Sequence, residues 1–252
     1  MIQAFGRISS VAAHNVLYYN NITLSNNSFS LSVFFPAFNE ENTIKTTIDR
    51  AVSVIPQDHE IIIIDDGSKD KTPAICDQLA KDNKNVRVVH HQKNLGYGAA
   101  LKTGFSNSKK DVIFFTDGDG QFDISEIKLL LPYINDADMV IGYRLKRNDP
   151  WHRILFASML RLAVGILFNV WVKDIDCAFK LMKKEVVKGN ELRSDGAIIS
   201  TELLVRAKRK GFKIKEIGVH HFPRTSGKPT GGNIKVILRA MKEILKLYWD
   251  LR

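Results

Sequence analysis

Two aspartates separated by one glycine, Asp117 and Asp119, follow the apolar run Val112–Thr116 in the segment DGDGQ (117–121). Like charges this close at the end of an apolar run repel, and a cation offsets that repulsion. A hard divalent ion with oxygen ligands would bridge such a carboxylate and the oxygens of a diphosphate. It would then stabilise negative charge on a departing group. Gly118 and Gly120 would let the backbone turn closely around the ion, and Gln121 offers a neutral oxygen. Asp-Gly is also ordinary turn chemistry, so the pair alone does not separate an ion site from a turn.

Two further polar segments stand in the same position relative to apolar runs: PAFNEE (36–41) after Leu31–Phe35, and DDGS (65–68) after Ile61–Ile64. One carboxylate of Asp65 and Asp66 could accept from a base or a ribose, or cap the helix that follows. The loop Asn94–Gly98 reads as a strand-to-helix turn, without a Walker lysine or a complete GxGxxG. Asp174, Asp176 and Glu202 are candidate bases for a reaction in which a hydroxyl must lose its proton. Glu202 reads more simply as part of a solvated helix, paired with Arg206 one turn on. His220 and His221 lack metal-spaced partners and read as structural.

The elements that must position these groups follow from periodicity. Strand-like runs occur at Leu31–Phe35, Ile61–Asp65, Val86–His90, Val112–Thr116 and Met139–Gly142. Helix-length segments lie between them, at about 40–54, 70–83, 97–107 and 124–134, with Asp70 and Asp123 as N-cap candidates and Pro73 near a first turn. Such alternation predicts an α/β fold: a mostly parallel central sheet with helices on both faces. Ligands of such sheets bind beyond the carboxyl ends of the strands, where PAFNEE, DDGS and DGDGQ gather. The predicted organisation is an N-terminal extension over 1–29, a catalytic domain over 30–222, and a loop with a basic amphipathic helix over 223–252.

Among the 252 residues, 44% apolar and 25% charged content is that of a globular chain, whereas the net charge of +10 points to a polyanionic partner. Charge alone does not choose among nucleic acid, an anionic membrane, a phosphorylated substrate and a plain solvated lysine face, although no nucleic-acid motif or aromatic-interleaved basic stripe accompanies it. Cys76 and Cys177 have neither metal nor disulfide-framework spacing, and the N-terminus lacks a signal-peptide pattern. A cytoplasmic location is expected.

Taken in order, VFFPAFNEENTI, IIIIDDGSKDKT, NLGYGAALKTGF, FFTDGDGQFD and DIDCAFKLM resemble the family-2 glycosyltransferases of GT-A fold, over roughly residues 31–230. The similarity is greatest to the polyprenol-phosphate branch typified by dolichol-phosphate mannose synthase. It implies an inverting transfer of a sugar from a nucleotide diphosphate to a polyprenyl phosphate. It also implies that Pro36, Phe38, Glu40, Ile64 and Asp66 cradle the nucleotide. Asp117, Gly118 and Asp119 would border the diphosphate, with Asp117, Asp119 and Gln121 on Mg²⁺ or Mn²⁺. Arg144, Arg153 and Ser158 match the positions that hold the acceptor phosphate, and arginine's planar fork suits that task. Arg224 matches the arginine that clamps the donor diphosphate, which with Asp119 makes the expected catalytic pair. The branch usually carries a Ser-Lys pair nearby; here Lys228 is followed by Pro229 and Thr230. Alternatives to the lipid acceptor are a saccharide or protein hydroxyl, or an inactive nucleotide-sugar binding module.

Two segments bear on a membrane. Ile154–Val172 is long and apolar, but Ser158, Arg161, Gly165 and Asn169 form a polar stripe, which favours lying on a surface over spanning. Beyond Gly232, Ile234, Ile237, Met241, Ile244, Leu245, Tyr248 and Leu251 share one helical face, and Lys235, Arg239, Lys242 and Lys246 the other. Such a helix suits the cytoplasmic face of an anionic membrane, and equally suits docking on the domain or on a second subunit.

Overall fold

The computed structural model describes residues 29–55, 58–146, 151–189, 191–196, 198–224 and 234–251, with backbone only for 151–153, 155 and 234–239. Nearly all of the expected extension, residues 1–28, lies outside them, as do Lys228 and the Arg153 side chain.

Strands β1 (Leu31–Ala37), β2 (His59–Asp65), β3 (Val86–His90) and β4 (Val112–Thr116) alternate with helices α1 (Ile44–Val54), α2 (Thr72–Asp82) and α3 (Tyr97–Asn107). A short α4 (Ile127–Leu130), between 3₁₀ turns, leads to β5 (Met139–Arg144) and α5 (Trp151–Phe168). Then come β6 (Phe179–Lys183), α6 (Lys184–Val187), α7 (Ile199–Arg209), β7 (Ile214–Val219) and α8 (Ile234–Asp250). The sheet has seven strands in the order β3-β2-β1-β4-β6-β5-β7. Only β6 runs antiparallel to its neighbours β4 and β5.

The strands are buried on both faces, and alternate residues serve opposite cores. Val33, Phe35, Ile61, Ile63 and Phe114 pack toward α1 and α2. Phe34, Ile62, Ile64, Ile113 and Phe115 pack toward α3, α5, α7 and α8. Each such side chain contributes about 1.5–3 kcal/mol by leaving water. Phe34 stacks on Phe115 at 5.3 Å, and Phe105 of α3 meets both rings edge-on. Gly104 permits this approach, since a Cβ there would lie 2.3 Å from the Phe34 ring.

The sequence reading identifies no strand at Phe179–Lys183. The apolar run there is broken by Lys180, which is nevertheless fully buried. Its ammonium donates to the carbonyls of Ile175 and Cys177, which satisfy the buried charge. Asp70 is not the N-cap of α2; Lys71 holds that place, although Asp70 still accepts from the Thr72 amide at 2.9 Å. Asp123 does cap its turn, accepting from Ser125 N.

Two amphipathic readings also need correction. On α5 the outward face is not simply polar, because Gly165 is covered by the Trp171 ring while Met159, Leu162 and Ile166 are exposed. On α8 the expected apolar face is divided: Ala240, Ile244 and Leu247 are buried, and Met241 and Leu245 are not. No described helix is long and apolar enough to cross a membrane.

Candidate active site

Parallel pairing of β1 with β2 and β4 sets Ala37 opposite Asp65 and brings the three carboxyl ends to one edge. Backbone bonds tie the edge together, from Asp66 N to Ala37 O (2.9 Å) and from Gly118 N to Pro36 O (3.2 Å). A Cβ on Gly118 would sit 3.1 Å from that same carbonyl and 3.0 Å from Ile44, so a larger residue would push DGDGQ off the edge.

The loops after β1 and β2 lace into each other. Asn39 N donates to Ser68 Oγ, Lys69 N donates to Asn39 Oδ1, and Glu40 N donates to Thr72 Oγ1. Pro36 and Ile64 lie buried in the strands, and the Phe38 ring is 40% exposed at the rim, available to stack on a planar ligand. Asp66 is tied into the neighbouring loop. Its carboxylate accepts from the amides of Leu95 and Gly96 (2.9 Å each) and contacts His91 Nδ1 (2.7 Å). It shapes the Asn94–Gly98 turn. Asp65 accepts from Ser68 N within the 65–68 turn and contacts His90, and it does not cap α2, which begins at Thr72.

The acidic centre is built from Asp117, Asp119 and Glu40. Asp117 Oδ1 is shielded from solvent and has no hydrogen-bond partner among the described residues. Burial first, then the neighbouring Asp119 charge, pushes the Asp117 carboxyl up to about 7, although the Tyr97 hydroxyl bonds to it. Tyr97 is raised well above its ordinary value by its own burial and by Asp117. Burial likewise raises Glu40, against the opposing pull of Arg224 and Thr43. Asp119 Oδ1 accepts from Gln121 N at 3.0 Å.

Arg224 reaches this centre because the chain beyond β7 is stitched to DGDGQ. Phe222 N donates to Gln121 O (2.8 Å), Gln121 Nε2 donates to Phe222 O (3.0 Å), and Phe122 bridges to His221. Arg224 Nη2 bonds to Glu40 Oε1, and Nη1 lies 3.5 Å from Asp119 Oδ2. His220 pairs with Glu126, and His221 packs edge-on against Phe122, so both histidines are structural.

Among the described residues no three His, Cys, Asp or Glu side chains come together as a metal cage. The edge suits a cation held partly by other oxygens: the unpartnered Asp117 Oδ1, the Asp119 carboxylate and the Gln121 side-chain oxygen, with a diphosphate and water completing the set.

The acceptor candidates are only partly assembled. Arg144, at the end of β5, forks Asp174 through Nε (2.6 Å) and Nη2 (2.8 Å). Ser158 is exposed and donates to its own helix, at Ile154 O. Glu202 pairs with Arg206 as expected, but it is fully buried rather than solvated, and it accepts from the amides of Arg193 and Ser194. Burial would raise its carboxyl, yet those amides and Arg206 hold it below the usual range. Tyr97, Lys180, Thr72 and the Arg144–Asp174 pairing are not among the residues the sequence pattern singles out. A polar residue inside an apolar run was the available sign for Lys180.

A mostly parallel sheet gathers acidic groups at the carboxyl ends of β1, β2 and β4, the edge at which α/β sheets bind their ligands. Residues 32–189 match the model of "Glycosyl transferase family 2", and the chain belongs to that family. It is 30% identical to polyprenol monophosphomannose synthase of Mycolicibacterium smegmatis, over 87% of this chain and 86% of that protein. It is 29% identical to glycosyltransferase AglD of Haloferax volcanii over 88% of this chain, and spans only 37% of that longer relative. In fold it is similar to glucosyl-3-phosphoglycerate synthase of Mycobacterium tuberculosis, solved with Mn²⁺, uridine diphosphate and glucosyl-3-phosphoglycerate. That likeness has a TM-score of 0.71 at 18% identity, covering 98% of this chain and 86% of the other.

Proposed function

We propose that this chain transfers a sugar from a nucleotide diphosphate to a polyprenyl phosphate, with inversion, at the cytoplasmic surface of a membrane. The observation that carries the reading is the shielded, unpartnered Asp117 Oδ1 beside Asp119, with Arg224 already drawn to that edge. The similarity to a polyprenol monophosphomannose synthase supports the acceptor class.

A divalent Mg²⁺ or Mn²⁺ held by Asp117, Asp119 and Gln121 would neutralise charge on the leaving diphosphate. The protein's own residues do the rest. Pro36, Phe38, Glu40 and Ile64 border the nucleotide, with Asp66 fixing the neighbouring turn. Arg224 shifts from Glu40 and Asp119 toward the diphosphate oxygens, where its fork binds them, and Lys228 joins it. Arg144, held by Asp174, presents a cation to the acceptor phosphate, with Arg153 and Ser158 beside it. A phosphate monoester is already ionised near neutral pH, so its oxygen attacks the anomeric carbon without a general base. Attack opposite the leaving group inverts the sugar.

The engagement of Asp174 by Arg144 and of Glu202 by Arg206 disfavours either carboxylate as a base for a hydroxyl acceptor. Incubation with a panel of radiolabelled nucleotide sugars, polyprenyl phosphate and Mn²⁺ tests the proposal. Label should enter the organic phase and should be lost with chelator. Transfer to a water-soluble acceptor alone would reject it.

A further inference from the structure

Twelve large apolar side chains are exposed among the described residues, and eight of them lie on α5, on the turn after it, or on α8. Clustering of that kind, unlike scattered exposure, marks an interaction surface. Met159, Leu162 and Ile166 follow one another at helical spacing on α5, as do Met241, Leu245 and Trp249 on α8. The buried residues of the same helices, Leu160 and Val164 on one and Ala240, Ile244 and Leu247 on the other, enter a common core. Phe168 and Tyr248 touch at 6.0 Å, so the helices are neighbours and their outer stripes leave the same side of the sheet.

The charge around the strip is predominantly positive. Lys242 and Lys246 are exposed beside it. Glu243 turns inward, its carboxylate 2.9 Å from where a Cβ of Gly196 would stand, and Asp250 lies 3.9 Å from Arg193. Trp171 and Trp249 stand at the helix ends, 61% and 66% exposed, as indoles do at a boundary between apolar and aqueous phases. The chain as a whole carries +10. Ser158, one of the proposed acceptor residues, lies on α5 next to Met159 of the strip.

We propose that the paired outer faces of α5 and α8 are the surface by which this protein lies on an anionic lipid bilayer. The apolar stripes enter the headgroup–acyl boundary and the lysines meet lipid phosphates. The inference rests on the lipid-acceptor reading and assigns its place of contact. A second copy of the chain would need the apolar strip but gains nothing from like-charged lysines facing each other.

The test is flotation of the whole protein with vesicles of phosphatidylcholine, alone or mixed with phosphatidylglycerol. Wild type should float with the anionic vesicles and weakly with the neutral ones. In a Trp151→Phe background, brominated acyl chains should quench Trp171 and Trp249. Ile166→Glu with Leu245→Glu should abolish flotation while the circular dichroism melt stays cooperative. Lys242→Gln with Lys246→Gln should weaken binding to anionic vesicles alone, on the order of twenty-fold for two lysines. Flotation unchanged in both double variants overturns the surface, as does sedimentation showing that the apolar variant only converts a dimer to a monomer. Sugar transfer to a short polyprenyl phosphate in detergent micelles separates the two proposals. Transfer without vesicle binding removes the surface and leaves the function; vesicle binding without transfer does the reverse.

Discussion

Arg224 Nη1 stands 3.5 Å from Asp119 Oδ2, and Nη2 of the same guanidinium bonds to Glu40. The acidic edge therefore already holds a cation supplied by the protein, on the carboxylate proposed to receive a metal ion. The two cations compete until a diphosphate offers Arg224 another partner. Arg224→Gln should thus bind Mn²⁺ alone on the order of ten-fold tighter, the equivalent of about one pKa unit of differential interaction. Sugar transfer should fall by about 10²–10³, because the donor loses its clamp. Isothermal titration with Mn²⁺ and a transfer assay read the two effects separately. An affinity for Mn²⁺ equal to wild type would show that the guanidinium does not compete.

The raised Asp117 carboxyl gives the protein a pH dependence with a definite sign. Its folded value of about 7 lies above the ordinary carboxylate range, so the folded state keeps a proton that the unfolded chain releases. This contribution to stability is complete below that range and is lost as pH rises to about 7. The melting temperature of the metal-free protein should therefore decline through this window, and Asp117→Asn should flatten the decline. Mn²⁺ binding should strengthen over the same window and release a proton, measurable by titration in buffers of different ionisation enthalpy. A metal-free melting curve that rises with pH there, unchanged in Asp117→Asn, would contradict the assignment.

The acidic edge was legible before any coordinates, and the reason is local. Apolar runs such as Ile61–Ile64 and Val112–Phe115 end abruptly in Asp, Gly and Ser, and parallel pairing then brings those ends together without further information. What escaped depends on long-range neighbours. Arg144 and Asp174 are 30 positions apart and meet only because β6 inserts antiparallel between β4 and β5. Tyr97 reaches Asp117 because α3 crosses behind the edge, and a helix-initial tyrosine announces no such partner. Glu202 reads as solvated because Arg206 stands one turn on, whereas its partners also include backbone amides eight and nine positions away.

That burial makes Glu202 a structural anchor with a measurable weight. It receives the amides of Arg193 and Ser194 and the Arg206 guanidinium. The segment it holds carries Asp195, whose carbonyl accepts from Gly98 N of α3 at 2.9 Å. Glu202→Gln leaves the shape but removes the charge and one acceptor. It should cost about 3 kcal/mol, a melting-temperature drop of roughly 6–12 °C, and should expose the 191–196 segment to limited proteolysis. A melting temperature matching wild type would mean the buried charge is not needed there.

Arg144 and Asp174 supply the sharpest test of the acceptor side. Asp174 is 6% exposed and fixes the guanidinium through two bonds, which sets the direction of the arginine's fork at the end of β5. Lysine cannot reproduce a fork, so Arg144→Lys should raise KM for polyprenyl phosphate about ten-fold with a smaller effect on kcat. Asp174→Asn keeps the size but weakens the hold, and should raise the same KM less. In both variants KM for the nucleotide sugar should stay near wild type, because the proposal puts Arg144 at the acceptor and Arg224 at the donor. Steady-state kinetics with each substrate varied in turn decides the matter: a rise confined to the donor KM would move Arg144 to the other half of the site.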